Sequence, residues 1–435
     1  MTARKAVTIG LIGLGVIGSG VAKIFKEKHQ RLNSQANIPI ILKRVADLDS
    51  NKKDSPFIDP AIFTIDANAI LEDPEIDIVV ELIGGENPAK EFIIKALSRG
   101  KHVVTANKEV LSKYGPELLT LAQEHNVSLL YEASVGGGIP LIAPLKRNLQ
   151  INDISAIYTI INGTTNYILT KMENEGLEFP AALQEAQDLG YAEANPYSDI
   201  EGLDAAYKIS ILATIAFHTD IRFQDVYHEG ISRTAPQDFR YARELGYAIK
   251  LLAIAKKAGD SVDVRVHPAL IPEDTLLAKV DGVFNAVQVE GDLSDKVIFY
   301  GRGAGSAPTA NVVVADIVHI ARNISTGTVE VSEIPSSKTT AIKPIDQLES
   351  RYYIRMTISD QAGVLAQITR VLGEHSISIS AAIQKEAYIK EKAAEIVITT
   401  HPAVESSVQE AIQEIEALAI VKQIGNLIRV EDLNR

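Results

Sequence analysis

No cysteine occurs among the 435 residues. Its absence excludes disulfides, thiolate metal sites and a cysteine nucleophile together, and it fits a reducing compartment. A basic excess is missing as well. Lys and Arg number 43 against 56 Asp and Glu, a formal net charge of -13, so the chain lacks the cationic face that nucleic acid requires. No apolar run approaches the ~18 to 20 residues of a membrane span. The opening MTARKAVTIGLIGLGVIGSGVAKIF has the charged start and apolar middle of a secretion signal, yet Gly10, Gly13, Gly15, Gly18 and Gly20 punctuate it. That spacing suits a strand, a tight turn and a helix, and the expected location is the cytoplasm. Low-complexity repeats are absent too. What remains is an ordinary composition, 46% hydrophobic and 23% charged, over a length that fits about three domains.

Strands and helices alternate through the first third. AVTIGLIGLG reads as a buried strand, followed by a helix from about Val16 to Lys28, and IPIILKRVADLD as a second strand ending near Asp47. IDIVVELIGG and KHVVTANK are apolar β-rich runs with the helical ENPAKEFIIKALSRG between them, and VSLLYEASVGGG follows a helix around Pro116 to His125. This order predicts an α/β fold with a parallel sheet covered on both faces. From about Ile139 the pattern becomes α+β. DISAIYTIINGTTNYILTKM predicts strand, polar turn and helix, while GLDAAYKISILATIAFH and GYAIKLLAIAKKAG predict two buried helices. VDVRVHPALIP and FNAVQVEGDLSDKVIFYG alternate as strands do. The expected domains are a Rossmann-type unit over 1–138, completed by a helix at 306–325, and an α+β substrate and dimerisation domain over 139–305. A Ser-, Thr- and Pro-rich linker over 326–349 leads to a module over 350–435, whose repeated strand–helix–strand order predicts a ferredoxin-like sandwich.

Gly13-Leu-Gly15-Val-Ile-Gly18 closes the first strand and opens the first helix. The G-x-G-x-x-G spacing alone is a weak signal, since a glycine-rich packing turn has the same form. Its place at the first strand–helix junction, with Asp47 ending the second strand, is the context of a dinucleotide fingerprint. Gly13 permits the turn, Gly15 admits the pyrophosphate and Gly18 lets helix and strand pack. Amides near Val16 and Ile17 face the anionic oxygens. Asp47 favours the ribose hydroxyls of NAD, whereas Lys43, Arg44, Lys52 and Lys53 are near enough in sequence to neutralise the 2′-phosphate of NADP, so both cofactors stay open. Thr105, Asn107 and Lys108 follow a strand, at the carboxyl edge where such folds bind ligands.

The stretch DLGYAEANPYSDIEGLDAAYK gathers Asp188, Glu193, Asp199, Glu201 and Asp204 ahead of Lys208. Ser198-Asp-Ile-Glu201 has the form of a capping box, which assigns Glu201 to a helix start. Asp204 and Lys208 are four apart and share a helix face, so an exposed ion pair is the plain reading. But ISILATIAF follows, and the helix runs into the core. An amine at the inner end of a carboxylate-lined entrance is placed to protonate a carbonyl oxygen while carboxylates take a substrate ammonium.

The run Ala186-x-x-x-Gly190-Tyr191-Ala192-x-x-Asn195-Pro196-x-x-Asp199-Ile200-x-Gly202-x-Asp204-x-x-x-Lys208 resembles the signature of the homoserine dehydrogenase family. TANKEVLS from Thr105, YEASVGGGIP from Tyr131 and INGTTNYIL from Ile161 are similar to that family as well, over about residues 7–325. The resemblance implies reduction of L-aspartate 4-semialdehyde to L-homoserine by NAD(P)H. It implies that Lys208 is the proton donor, that Lys108 assists at substrate and cofactor, that Asp199 orients Lys208, and that Glu193 and Asp204 hold the amino acid. It also implies a monovalent cation such as sodium, bound through mostly backbone oxygens of Glu132, Val135, Gly137 and Ile139, for which a structural hinge is the plain alternative. Gly303 and Gly305 resemble a segment that closes over the nicotinamide. Many NADP-using members carry an arginine just before the second-strand acid, whereas Ala46 precedes Asp47 here.

Asp360-Gln-Ala-Gly363-Val364-Leu365, between a strand and a helix, resembles the ligand loop of an ACT domain. That implies threonine as a feedback effector and a homodimer or homotetramer, although a structural turn has the same form. Two rival readings are a dehydrogenase for a different amino aldehyde and a non-catalytic amino-acid sensor. The sensor leaves Lys108 and Lys208 without a role.

Overall fold

The computed structural model describes residues 6–330, 340–388 and 392–433; residues 331–339 of the expected linker lie outside them. The chain forms two compact units, one from residues 1–154, 207–225 and 289–339, the other from 155–206, 226–288 and 340–435.

The first unit is built on six parallel strands in the order Phe63–Thr64, Ile40–Ala46, Val7–Ile12, Ile78–Glu81, His102–Thr105 and Leu129–Leu130. The inner strands are apolar and buried on both faces because helices cover the sheet on each side. The strand order switches between Val7–Ile12 and Ile78–Glu81, and the carboxyl ends at such a switch point are where open parallel sheets bind ligands. Helix Ser306–Thr326 packs on helix Val16–Ala36, where a β-carbon at Gly20 would come within 2.7 Å of Ser306 Oγ. That first helix continues to Ala36, past a break at Lys28 (φ -123°, ψ 19°) where the sequence pattern predicts its end.

The second unit carries a mixed sheet ordered Phe284–Gly291, Ile154–Ile160, Tyr247–Ala258, Ser261–Pro272, Val421–Val430, Glu349–Ser359, Ala393–Thr400 and Ile379–Tyr388. The expected helix in GYAIKLLAIAKKAG is therefore a strand, Tyr247–Ala258. It pairs along its whole length with Ser261–Pro272 and on its other edge with Ile154–Ile160. Ala248 through Ala255 are all buried, so no alternation betrays the strand, and the Ala, Leu and Lys content favours helix until the sheet overrides it.

In the C-terminal part, helices Val364–Glu374 and Glu405–Glu416 pack on the sheet through Ile368, Val371, Leu372, Val408, Ala411 and Ile415. Strand Val421–Val430 pairs in parallel with Ser261–Pro272 at Ala269↔Arg429 and Leu270↔Val430, so this module continues the substrate-domain sheet. Buried charge seals the join. Asp238, in the first turn of helix Pro236–Glu244 and fully buried, accepts from Arg355 Nε at 2.6 Å, Asn426 Nδ2 at 2.9 Å and the Tyr353 hydroxyl at 3.0 Å. Among the described residues no helix is long and apolar enough to cross a membrane. Removing the carboxylate in Asp238→Ala strands much of the Arg355 charge, so urea unfolding is expected to show a loss of about 3–5 kcal/mol.

Candidate active site

The nucleotide loop has the geometry its glycines predict. Gly13 sits at φ +98°, and a β-carbon at Gly18 would overlap the Gly13 carbonyl, so strand and helix meet without a side chain between them. Gly15 and Val16 are exposed, and a β-carbon on Gly15 would meet open space. An uncrowded backbone at the start of helix Val16–Ala36, with Ile17 behind it, fits a dinucleotide pyrophosphate. Asp47 accepts from the Leu14 amide at 2.6 Å and from Lys52 Nζ at 3.0 Å, which ties the acid to the loop. Burial opposes its charge, but the amides of Asp49 and Leu14 together with Lys52 prevail and hold the carboxyl below its usual range. Of the other cations of that region, Lys43 turns to different partners. Lys43 pairs with Asp73 and Glu75 at 2.6 Å each, and the charge of Arg44 acts on Asp73.

Thr105 is fully buried, its hydroxyl donating to Glu81 Oε2 at 2.6 Å and accepting from the Asn107 amide at 3.0 Å. Glu81, which sequence reasoning missed, ends its strand with no exposure. Burial pushes its carboxyl up, against the donors of Thr105 and Ile83. Asn107 caps the next helix by accepting from Val110 N at 3.1 Å and reaches Gly85 O through Nδ2 at 2.8 Å, which sets Lys108 at the first helical position, half-buried. Burial and then the charge of Glu109 raise the Tyr207 phenol, while Lys113 and Lys108 act against them. Lys108 is thus within electrostatic reach of the residue that precedes Lys208.

The acidic run separates into different roles. Asp188 accepts from Gln184 at 2.9 Å on the surface, and Glu193 is exposed, its carbonyl accepting from Gln187 at 3.1 Å. The capping box is not formed. Helix Tyr197–Ile200 starts ahead of Ser198, with Pro196 at its N-cap and Asn195 Oδ1 taking the Tyr197 amide at 3.3 Å, because the fixed proline φ begins the turn first. Glu201 instead accepts from the Ser232 hydroxyl at 3.4 Å. Asp199 and Asp204 come together on one group: Asn162 Nδ2 donates to Asp199 Oδ1 at 2.7 Å and to Asp204 Oδ2 at 2.8 Å. Asp204 is 2% exposed. It lies at the start of helix Leu203–Phe217, with Lys208 one turn on and half-buried. Asn162 was not assigned a role from sequence, although an Asn between a strand and a helical run is a cap signal, and its Oδ1 does accept from Thr165 N at 2.8 Å.

Both carboxylate oxygens of Glu132 are taken by backbone amides, Oε1 by Ile142 at 2.7 Å and Oε2 by Ala143 at 2.7 Å, so its side chain serves the helix Ile142–Arg147. A cation in the turn Val135–Ile139 would have carbonyl oxygens as its donors, and among the described residues no cluster of three His, Asp or Glu competes for a metal. That turn packs against the segment containing Gly303 and Gly305. Gly137 leaves no room for a β-carbon beside the Gly303 carbonyl, and Gly138 N donates to Arg302 O at 3.3 Å. Ser306, also missed, ties the same segment to the nucleotide loop by donating to Val16 O at 2.8 Å. Asp360, Gly363 and Leu365 are exposed, Val364 is buried, and Gly363 holds φ +88° at the N-cap of its helix with open space around it.

Comparison with known proteins agrees with this geometry. A homoserine dehydrogenase family model matches residues 140–318, a model of the homoserine dehydrogenase NAD-binding domain residues 13–132, and an ACT domain model residues 352–420. The chain is 44% identical to homoserine dehydrogenase of Neisseria gonorrhoeae over 99% of this chain and 100% of that protein. It is 38% identical to that of Bacillus subtilis over 98% and 99%. A solved homoserine dehydrogenase from Thiobacillus denitrificans superposes with TM-score 0.92 at 43% identity, covering 98% of this chain and 99% of that one. A hyperthermophilic archaeal homoserine dehydrogenase in complex with NADPH superposes with TM-score 0.63 at 27% identity, over 75% and 100%.

Asn162→Ser keeps an acceptor for the helix cap and removes the amide shared by the two carboxylates. Steady-state kinetics are expected to show KM for the amino-acid substrate rising about tenfold, with the melting temperature little changed. An unmoved KM would mean that the amide does not organise the substrate carboxylates.

Proposed function

The chain belongs to the homoserine dehydrogenase family of NAD(P)-dependent oxidoreductases, and from that premise we propose that it reduces L-aspartate 4-semialdehyde to L-homoserine in the cytoplasm. The observation that carries this reading is the gathering of Asp199 and Asp204 on Asn162, with Lys208 one turn along the same helix as Asp204. The nicotinamide, when bound, supplies the hydride that adds to the aldehyde carbon. Lys208 gives the proton that the carbonyl oxygen takes up, so that the alcohol leaves neutral. Asp199 orients Lys208, and Lys108 supports the substrate and cofactor from the first turn of its helix. Asp204 and Glu193 take the substrate ammonium. Gly13, Gly15, Val16, Ile17 and Gly18 hold the pyrophosphate, Asp47 the ribose, and Gly303 and Gly305 close over the ring. With Lys43 paired to Asp73 and Glu75, Lys52 is the cation on Asp47, so NAD and NADP have to be compared directly. A sodium ion in the turn Val135–Ile139, held by carbonyl oxygens, would stiffen that turn against the closing segment. Threonine at the exposed loop Asp360–Leu365 acts as feedback inhibitor of a homo-oligomer.

Homoserine oxidation followed by absorbance with each cofactor tests the reaction, with longer amino alcohols compared alongside to exclude a different aldehyde substrate. Lys208→Ala is expected to lose about 100-fold or more in turnover, the size of a general acid's contribution. Wild-type turnover in the mutant would remove Lys208 from the mechanism. For the regulatory part, threonine is expected to inhibit the wild type and to release or absorb heat on binding. Equal activity with and without it, and no heat, would end that assignment.

A further inference from the structure

Arg429 lies in strand Val421–Val430, in the C-terminal module, and is 1% exposed. Its guanidinium divides between two acids. Nε and Nη2 donate to Glu405, at 2.8 and 2.6 Å, in the first turn of helix Glu405–Glu416. Nη1 donates to Glu229 Oε2 at 2.6 Å, and the Tyr227 ring stacks 5.3 Å from the same guanidinium while its hydroxyl donates to Glu229. Glu229 thus ends a short stretch, 227–229, that is held on one side by the module and on the other by strand Ser261–Pro272, where its own amide donates to Val266 O at 2.8 Å.

The next residue has no slack. A β-carbon on Gly230 would overlap the Ile200 carbonyl and fall 2.8 Å from Glu201 Cα, and Ile231 N donates to Ile200 O at 2.9 Å. From the other side Gly202, at φ +80°, would put a β-carbon 3.1 Å from Glu229 O and 3.2 Å from Val266 Cγ1. Backbone lies directly on backbone, and such packed contacts transmit displacement because they are not compressible. Ile200 and Gly202 lie in the four-residue stretch between Asp199 and Asp204, the pair that Asn162 gathers. We infer that Glu229 is a positioning residue for the amino-acid substrate: held by Arg429, it sets the height of the Ile200–Gly202 turn and with it the separation of Asp199 and Asp204. The inference rests on the reading that these carboxylates serve the substrate. It adds the physical route by which the C-terminal module acts on them.

Glu229 is the side chain to alter, because it is 36% exposed and its loss leaves Arg429 paired with Glu405. In Glu229→Ala, kcat/KM for homoserine is expected to fall about tenfold while KM for the dinucleotide stays within about twofold of wild type. Glu229→Gln, which keeps an acceptor oxygen for Arg429, is expected to recover part of the loss. If Glu229→Ala is unchanged toward homoserine, or if both substrates and the melting temperature suffer together, the positioning role is overturned. A wild type that does not oxidise homoserine overturns the functional reading and this inference with it, whereas an active wild type with an unaffected Glu229→Ala overturns this inference alone.

Discussion

Asp199 and Asp204 converge on a single amide of Asn162, and the surrounding turn and helix starts of the second unit are arranged around that shared hydrogen bond. Asp204 is almost wholly buried, where a polar group needs hydrogen-bond partners. A single NH2 group on Asn162 answers both acids. The amide can do so because its other end is fixed: Oδ1 caps helix Gly163–Glu175, so the residue that starts the helix also holds the acids together.

The same economy of side chains recurs where segments must be held at fixed distances. Gly13 and Gly18 bring the first strand and helix together, Gly137 meets the Gly303 carbonyl, and Gly230 lies on Ile200. In each case a backbone touches a backbone, and the separation is set by atoms that no rotamer change can move. Charge is used differently, to join elements that are distant in sequence. Asp238 with Arg355, and Arg429 with Glu405 and Glu229, are buried networks that make the C-terminal module part of the substrate-domain sheet. Such clusters cost desolvation, which their hydrogen bonds and ion pairs have to offset.

Elements whose burial is one-sided, or whose ends carry a distinctive residue, were legible from the chain. The nucleotide loop, the buried helix after Lys208 and the two strand–helix–strand passages of the C-terminal module all have a local cause. The strand Tyr247–Ala258 does not, because burial on both faces erases the alternation that marks a strand, and its residues prefer helix. The apparent capping box failed for a related reason. Ser198 and Glu201 have the right spacing, but Pro196 starts the turn two residues earlier. The Glu132 carboxylate serves the amides of Ile142 and Ala143, a contact that only the folded turn brings within reach.

By itself the sequence determined the chemistry available: the glycine spacing that admits a dinucleotide, an acid at the second strand's end, the run that resembles a dehydrogenase signature and the lysine that closes it. Local spacing suffices for these because each depends on neighbours within a turn or a strand. Only the tertiary structure decided which of the five clustered acids come together, which cation reaches Asp47, and where Asn162, Glu81 and Glu229 lie. Those outcomes depend on side chains far apart in the chain competing for the same few donors, and that competition has no local signature.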